Sequence, residues 1–133
     1  MQIDLQGSCP LLMVFDMPES LGFYRDILGF EVVSDSGQGD ESGWVWLRLN
    51  DSELMLNTQF DEGERPPERD PVRDKNHGDT IIYFGCPNVD DTYQALSTKG
   101  LKVSPPEITG YGFKAMTLSD PDGYGICLHW KNQ

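Results

Sequence analysis

Two stretches of the chain, LLMVFDMPESLGFYRDILGFEVV (11–33) and IIYFGCPNVDDTYQALSTKGLKV (81–103), can be laid over one another, and they decide the fold. Each begins within an apolar run that predicts a strand, over 7–15 in the first stretch and 80–86 in the second. The first run is apolar on both parities, which predicts a strand that is covered on both faces. Each continues with a stripe of apolar side chains at helical spacing and a glycine that ends the helix. The chain is therefore predicted to contain two copies of one structural unit.

Three further strands are predicted after each helix, separated by turn residues. They are expected at 30–34, 44–50, 53–58, 101–104, 113–118 and 124–130. Pro18 opens the first helix, while Asn88, with Asp91 three residues later, forms an approximate capping box at the start of the second. The pattern βαβββ thus occurs twice, and it predicts an α+β fold of paired βαβββ modules. Their mixed sheets are expected to curl around a cup-shaped cavity that suits a ligand.

A charged, proline-rich segment, DEGERPPERDPVRDKNHG (61–78), separates the two modules. It has almost no large apolar side chains, which predicts a surface linker with neither strand nor helix. The length favours a single domain over 1–133, with the first module at about 7–60 and the second at about 79–131.

Charge excludes one class of partner. Ten Lys and Arg residues stand against 22 Asp and Glu residues, so the formal net charge is −12. This field repels nucleic acid and attracts cationic molecules, although acidity also serves solubility alone. The absence of a secretory pattern and of a long apolar run predicts a cytoplasmic protein that does not enter a membrane. Cys9, Cys86 and Cys127 are widely spaced and are predicted to be reduced thiols.

Four segments carry a resemblance to a known family: LGFYRDILGFEVV (21–33), ELMLNTQF (53–60), VDDTYQAL (89–96) with a following Lys-Gly, and YGFKAMTLSDPDG (111–123). Together they resemble the vicinal oxygen chelate superfamily, which includes glyoxalase I, extradiol dioxygenases, fosfomycin-resistance thiol transferases and bleomycin-resistance proteins. The resemblance runs from about Cys9 to Trp130. It implies paired βαβββ modules and, in most members, a homodimer with two cup-shaped sites.

The resemblance also implies where a metal ion would be held. Metal enzymes of the family place one His or Glu ligand on each of four strands. The matching positions in this sequence are Cys9, Met55, Ile81 (Asp79 if the register slips by one pleat) and Cys127. Met and Ile cannot replace the carboxylate and imidazole ligands of a hard divalent ion, so no metal and no other cofactor are predicted. A soft ion between Cys9 and Cys127 is the alternative to two thiols that merely fill space.

The ligand-binding residues are predicted from strand parity and chemistry. The set consists of Trp44, Trp46, Met55, Asn57, Tyr83, Tyr111 and Phe113. Aromatic faces with polar edges suit a flat or cationic ligand, although any one of these side chains also fits a core or dimer contact. Catalytic residues, if there are any, are sought among His129, Glu53 and Tyr111. His77 is predicted to be a solvated loop residue.

Functions of different classes remain open at this point. The favoured hypothesis is a metal-free protein of the bleomycin-resistance type that sequesters a small organic molecule, with a cationic aromatic compound as the first class to test. The rival hypothesis is a lyase, isomerase or dioxygenase-like enzyme that has relocated its acid–base or metal site. A structural module with a filled cup is the third hypothesis.

Overall fold

A computed structural model describes residues 1–132 and shows the predicted βαβββ order twice. The chain divides into two compact units, residues 1–65 and the part that begins at Pro66. Each unit holds one four-stranded mixed sheet, in the order β1-β4-β3-β2 in the first and β5-β8-β7-β6 in the second. The predicted α+β architecture of paired βαβββ modules is therefore confirmed.

The first unit consists of four strands and one helix. Its elements are β1 (Leu11–Val14), α1 (Met17–Leu21), β2 (Glu31–Asp35), β3 (Trp44–Leu49) and β4 (Ser52–Thr58). An Asp16 carboxylate oxygen accepts a hydrogen bond from the Glu19 N–H at 3.2 Å and caps α1. The helix continues as a π-helical turn over Gly22–Ile27 and ends at Gly29, whose φ of +95° suits glycine.

Alternation along the strands gives the first sheet two different faces. One face is buried against α1, and its side chains are Leu12, Val14, Val45, Leu47, Leu54 and Leu56. Residues of the opposite parity form the other face, which we call the open face of the first sheet. Its side chains are half-buried or exposed, so they remain accessible for other contacts.

The second unit repeats this arrangement with two helices. Its elements are α2 (Pro71–Asn76), β5 (Ile81–Gly85), α3 (Val89–Thr98), β6 (Glu107–Ile108), β7 (Phe113–Ser119) and β8 (Gly125–Lys131). Met116, Leu118, Ile126 and Leu128 are buried on the side where α3 supplies Val89 and Leu96. The side chains of opposite parity on β5, β7 and β8 form the open face of the second sheet.

The linker prediction was wrong over one segment, because 61–78 contains α2. The Asp70 carboxylate accepts hydrogen bonds from the N–H groups of Val72 and Arg73 at 3.0 and 3.4 Å. Pro71 occupies the first turn, where a missing N–H costs nothing. An Asp-Pro pair is therefore a helix start here, although the segment is charged and only six residues of it are helical.

Two predictions in the second half also differ from the structure. No strand forms over 101–104, and β6 begins only at Glu107, after Pro105 and Pro106. Prolines have no N–H to give to a ladder, so pairing with β7 starts beyond them. The capping box is absent as well: the Asn88 side chain makes no capping hydrogen bond to α3 but instead accepts from the Thr92 hydroxyl at 3.4 Å.

The first strand is shorter than predicted, since it begins at Leu11 rather than at Gly7. Among residues 1–132, no helix is both long and apolar enough to cross a membrane.

Candidate functional site

Four of the predicted ligand-binding residues lie together on the open face of the first sheet. Trp44 is paired with Asn57, and Trp46 is paired with Met55, across β3 and β4. All four side chains are half-buried. The strand register thus brings these four side chains together in one continuous aromatic and polar surface, as strand parity predicted.

A cationic side chain of the protein, Arg48, already lies on this surface. The guanidinium carbon of Arg48 lies 5.4 Å from the centre of the Trp46 ring, within cation–π range. Arg48 Nη2 also lies 2.9 Å from a Glu53 carboxylate oxygen, across the tight turn at Asn50 and Asp51. Glu53, a candidate acid–base residue and ligand counter-charge, is therefore engaged in an ion pair within the face.

The indole nitrogen of Trp46 stands out on the same surface. Nε1 is buried and has no hydrogen-bond partner among residues 1–132. Buried indole N–H groups nearly always find an acceptor, because a donor without one loses its hydration and gains nothing. The Trp46 N–H is therefore a donor whose hydrogen-bonding capacity is unused within the described residues.

The open face of the second sheet gathers the other predicted residues. The His129 ring is stacked on Phe113, with centres 4.8 Å apart and planes at 28°. It meets the Tyr83 ring edge-on at 5.1 Å, and Tyr111 lies 5.3 Å from Phe113. His129 Nδ1 is buried without a hydrogen-bond partner in this part of the chain, residues 66–132. A second aromatic surface with an unpartnered nitrogen therefore exists.

Tyr83 and Tyr111 interact with each other on this face. Negative charge at Cys127 and then at Tyr111, together with partial burial and a hydrogen bond with Tyr111, raises the pKa of Tyr83 above its usual value. Tyr83 is about half exposed. Its phenol is therefore protonated near neutral pH and acts as a hydrogen-bond donor rather than as a base.

The four family metal positions do not gather hard ligands. Cys9 precedes β1, and the neighbour of Met55 on β1 is Leu11. On the second sheet Ile81 lies against Gly125, whereas the neighbour of Cys127 is Tyr83.

Asp79, the alternative to Ile81, is exposed in a short 3₁₀ turn. Within residues 1–132, no three His, Cys, Asp or Glu side chains converge on one point. Thiols, a thioether and an alkyl group are not the ligands that Mg²⁺, Mn²⁺ or Fe²⁺ requires, so these four positions do not fit such an ion.

Cys127 is expected to react slowly with thiol reagents in the folded protein. Burial raises the pKa of the Cys127 thiol, although a hydrogen bond with Thr117 partly opposes this, and only 3% of the residue is exposed. The thiolate is the reactive form, so alkylation at pH 8 should be at least about tenfold slower than for free cysteine. Mass spectrometry of a time course with iodoacetamide measures the rate at each cysteine, with urea-unfolded protein as the control.

The same shift fixes the sign of a pH effect on stability. The folded state holds the proton of Cys127 more tightly than the unfolded state does. The contribution of Cys127 to the free energy of unfolding is therefore complete below the ordinary thiol pKa and is lost as the pH rises through the raised pKa of the folded state. The opposite trend, or alkylation as fast as for free cysteine, would contradict the buried placement.

His77 is not the solvated loop residue that was predicted. Its Nδ1 lies 2.7 Å from the Asp122 carbonyl oxygen, and its ring is stacked on Tyr124 at 4.1 Å with planes 8° apart. The His77 side chain is half-buried. It therefore holds the linker segment onto the turn before β8.

Sequence reasoning missed a cavity of about 730 Å³ in the first unit. It lies where β1 and β4 end and β3 begins, and it is lined by Phe15, Phe60, Glu41 and Arg65, among others. The loops that build it, 36–43 and 59–65, follow no helical or strand periodicity. Their carboxylates and aromatic residues were the available signal.

Comparison with known proteins agrees with this architecture. The family model described as the Glyoxalase/Bleomycin resistance protein/Dioxygenase superfamily matches residues 8–128. No curated protein sequence gives a significant match.

Three solved structures show the same fold. TnmS3, an antibiotic binding protein from Streptomyces sp. CB03234, has 22% identity and a TM-score of 0.73, with 99% of this chain and 100% of that chain covered. A bleomycin resistance determinant encoded on the transposon Tn5 has 22% identity and a TM-score of 0.71, with coverage of 97% and 99%. SMU.1112c has 25% identity and a TM-score of 0.71, with coverage of 97% and 100%.

Proposed function

The chain belongs to the glyoxalase/bleomycin resistance/dioxygenase superfamily, and from that premise we propose that it binds a small organic molecule on its open sheet faces without a metal ion. The two unpartnered nitrogens, Trp46 Nε1 and His129 Nδ1, carry the proposal. Leaving such a group buried and unpaired costs about 1–3 kcal/mol. A ligand that stacks on the aromatic face and supplies the missing hydrogen bond removes this cost.

The ligand is proposed to be a flat organic compound with a hydrogen-bond acceptor, and a positive charge on it is favoured. The net charge of −12 speeds the approach of a cation and changes its dissociation rate little. Arg48 already lies on Trp46, so Trp44 and the second sheet offer the freer aromatic surfaces. Of the proteins with the same fold, TnmS3 is an antibiotic binding protein and another is a bleomycin resistance determinant. This supports testing ligands of the size of an antibiotic first.

The protein is also proposed to act as a homodimer in the cytoplasm, as most members that the sequence resembles form dimers. Light scattering at micromolar concentration measures the molar mass in solution and so distinguishes a dimer from a monomer. A single monomeric species would overturn the dimer and leave the binding proposal intact.

Replacing Trp46 with Phe is expected to weaken ligand binding about threefold to tenfold. The substitution keeps an aromatic ring on the open face but removes the unpartnered N–H, and one hydrogen bond contributes about 0.5–1.5 kcal/mol. Calorimetric titration with bleomycin, as a cationic aromatic probe, measures the change.

Trp130→Phe is the matched control, since Trp130 has the parity of the helix-covered face of the second sheet and is 44% exposed. Equal losses in the two variants would argue against the open face as the site. The absence of saturable binding at millimolar concentration would reject cationic aromatic ligands.

An enzyme is the second candidate, and the arrangement around His129 favours it. An imidazole with an unpartnered Nδ1 beside the protonated Tyr83 has the composition of an acid–base pair for a lyase or isomerase. Chromatography of the recovered ligand separates the two functions. Unchanged ligand supports binding alone, whereas conversion that is lost in His129→Gln supports catalysis.

A further inference from the structure

The cavity of the first unit has the size and lining of a binding site. Its volume of about 730 Å³ falls within the usual range for small-molecule pockets. Phe15 and Phe60 form an aromatic corner, with ring centres 6.4 Å apart and planes at 86°. Thr58 and Gly43 close the side where the sheet ends. An apolar molecule of moderate size fits this corner.

Arg65 occupies the face of one of these rings. Its guanidinium carbon lies 5.3 Å from the centre of the Phe15 ring, within cation–π range. The ion pair that holds it, Nη1 to Asp16 Oδ2, is long at 3.4 Å, and the Arg65 side chain is 47% exposed. Exposed pairs of this kind contribute at most about 1 kcal/mol. The Arg65 side chain can therefore leave the ring at low cost.

The remaining charged groups of the lining are negative. Glu41, Asp61 and Glu62 face the cavity, and none of the three forms an ion pair within residues 1–132. The turn that carries Glu41 is fixed, because Arg25 binds both carboxylate oxygens of Asp40 at 2.8 and 3.1 Å. The lining thus carries three carboxylates without an ion pair and a single cation, Arg65.

These contacts identify the ligand by its chemistry. The aromatic corner favours a ligand with an apolar part, and within the described residues no three His, Cys, Asp or Glu side chains form a group that could hold a metal ion. A cation attached to an apolar body satisfies both the rings and the carboxylates.

We propose that this cavity is a binding site for an organic cation with an apolar body, of the aryl guanidine or aryl amine class, and that Arg65 competes for its cation position. In the free protein the Arg65 guanidinium lies on Phe15, and an arriving ligand displaces it. The site uses other residues than the open sheet faces, so it stands or falls independently of the function proposed above.

The test is a calorimetric titration with phenylguanidinium and with phenylurea, its neutral isostere. Phenylguanidinium should bind saturably and at least about tenfold more tightly than phenylurea, since only the cation gains from the ring face and the carboxylates. Arg65→Gln should tighten phenylguanidinium binding about threefold or more, because the competitor is gone. Phe60→Leu, at a ring that is 37% exposed and tolerates change, should weaken it by a similar factor.

Two controls distinguish binding in this cavity from a general effect of net charge and from nonspecific stacking on exposed aromatic rings. Lys102→Gln removes one positive charge at an exposed residue of the second unit, so it reproduces the effect of Arg65→Gln on net charge but not on the cavity. Trp130→Phe changes an aromatic residue of the second unit that is 44% exposed and belongs to neither proposed site, so it should leave phenylguanidinium binding unchanged. Equal binding of the two probes, weaker binding in Arg65→Gln, equal tightening in Lys102→Gln, or a loss in Trp130→Phe as large as that in Phe60→Leu would each overturn the proposal.

Discussion

Gly123→Ala is expected to destabilise the protein by about 2–5 kcal/mol. The φ of Gly123 is +88°, a conformation in which a side chain costs about 1–2 kcal/mol. A Cβ at this position would also overlap the backbone carbonyl oxygen of Asp74 in α2. Backbone atoms cannot move aside as a flexible side chain can, so overpacking adds about 1–3 kcal/mol. Urea denaturation followed by circular dichroism measures the loss.

Gly100→Ala is the matched control for this prediction. Gly100 ends α3 with a φ of +87°, and a Cβ added there meets no atom within 4 Å. It should therefore show the cost of the left-handed conformation alone, about 1–2 kcal/mol. If the two variants lose equal stability, α2 does not rest on the turn before β8 in solution.

The repeated halves made the fold predictable from the sequence. Apolar runs, helix-ending glycines and the Asp-Pro-Asp-Gly turn are local signals, and each acts through a few neighbouring residues. Strand parity also predicted that Trp44, Trp46 and Met55 share one face, because a period of two leaves only two choices for each side chain. These features needed no knowledge of distant contacts.

The wrong secondary-structure predictions arose where one or two residues determine the local structure against the average composition of the segment. Asp70 and Pro71 start a helix inside a segment whose charge predicted a linker. Pro105 and Pro106 directly follow a segment whose apolar residues predicted a strand, and pairing begins only beyond them. In both cases a single backbone hydrogen-bonding constraint decides the outcome, and an average over the window conceals it.

The finer features of the site depend on contacts that no local pattern encodes. The Arg48 and Glu53 pair requires knowledge of the hairpin register, and the cavity requires two loops to meet beside Phe15. Whether Trp46 Nε1 and His129 Nδ1 have a hydrogen-bond partner depends on the positions of all the atoms around them. Sequence reasoning could therefore name candidate residues but not the groups that lack partners.

Arg69→Met is expected to destabilise the protein by about 3 kcal/mol or more, although Arg69 lies in the segment that was predicted to be a linker. Its Nη2 lies 2.6 Å from a carboxylate oxygen of Asp122, which is fully buried. The same guanidinium donates to Asp74 at 2.9 Å and to the Pro121 carbonyl oxygen at 2.8 Å. Removing the cation from a buried pair costs about 3–5 kcal/mol, because the charge left behind has lost both water and partner.

Arg73→Met is the control, since Arg73 lies on α2 and forms no ion pair within residues 66–132. Adding Asp122→Asn to Arg69→Met should recover part of the loss, because the double variant no longer buries a charge. An equal loss in Arg73→Met, or no recovery in the double variant, would contradict the buried pair. The binding of phenylguanidinium should be unchanged wherever the variant is folded. Asp122 would then stabilise the second unit and take no part in that cavity.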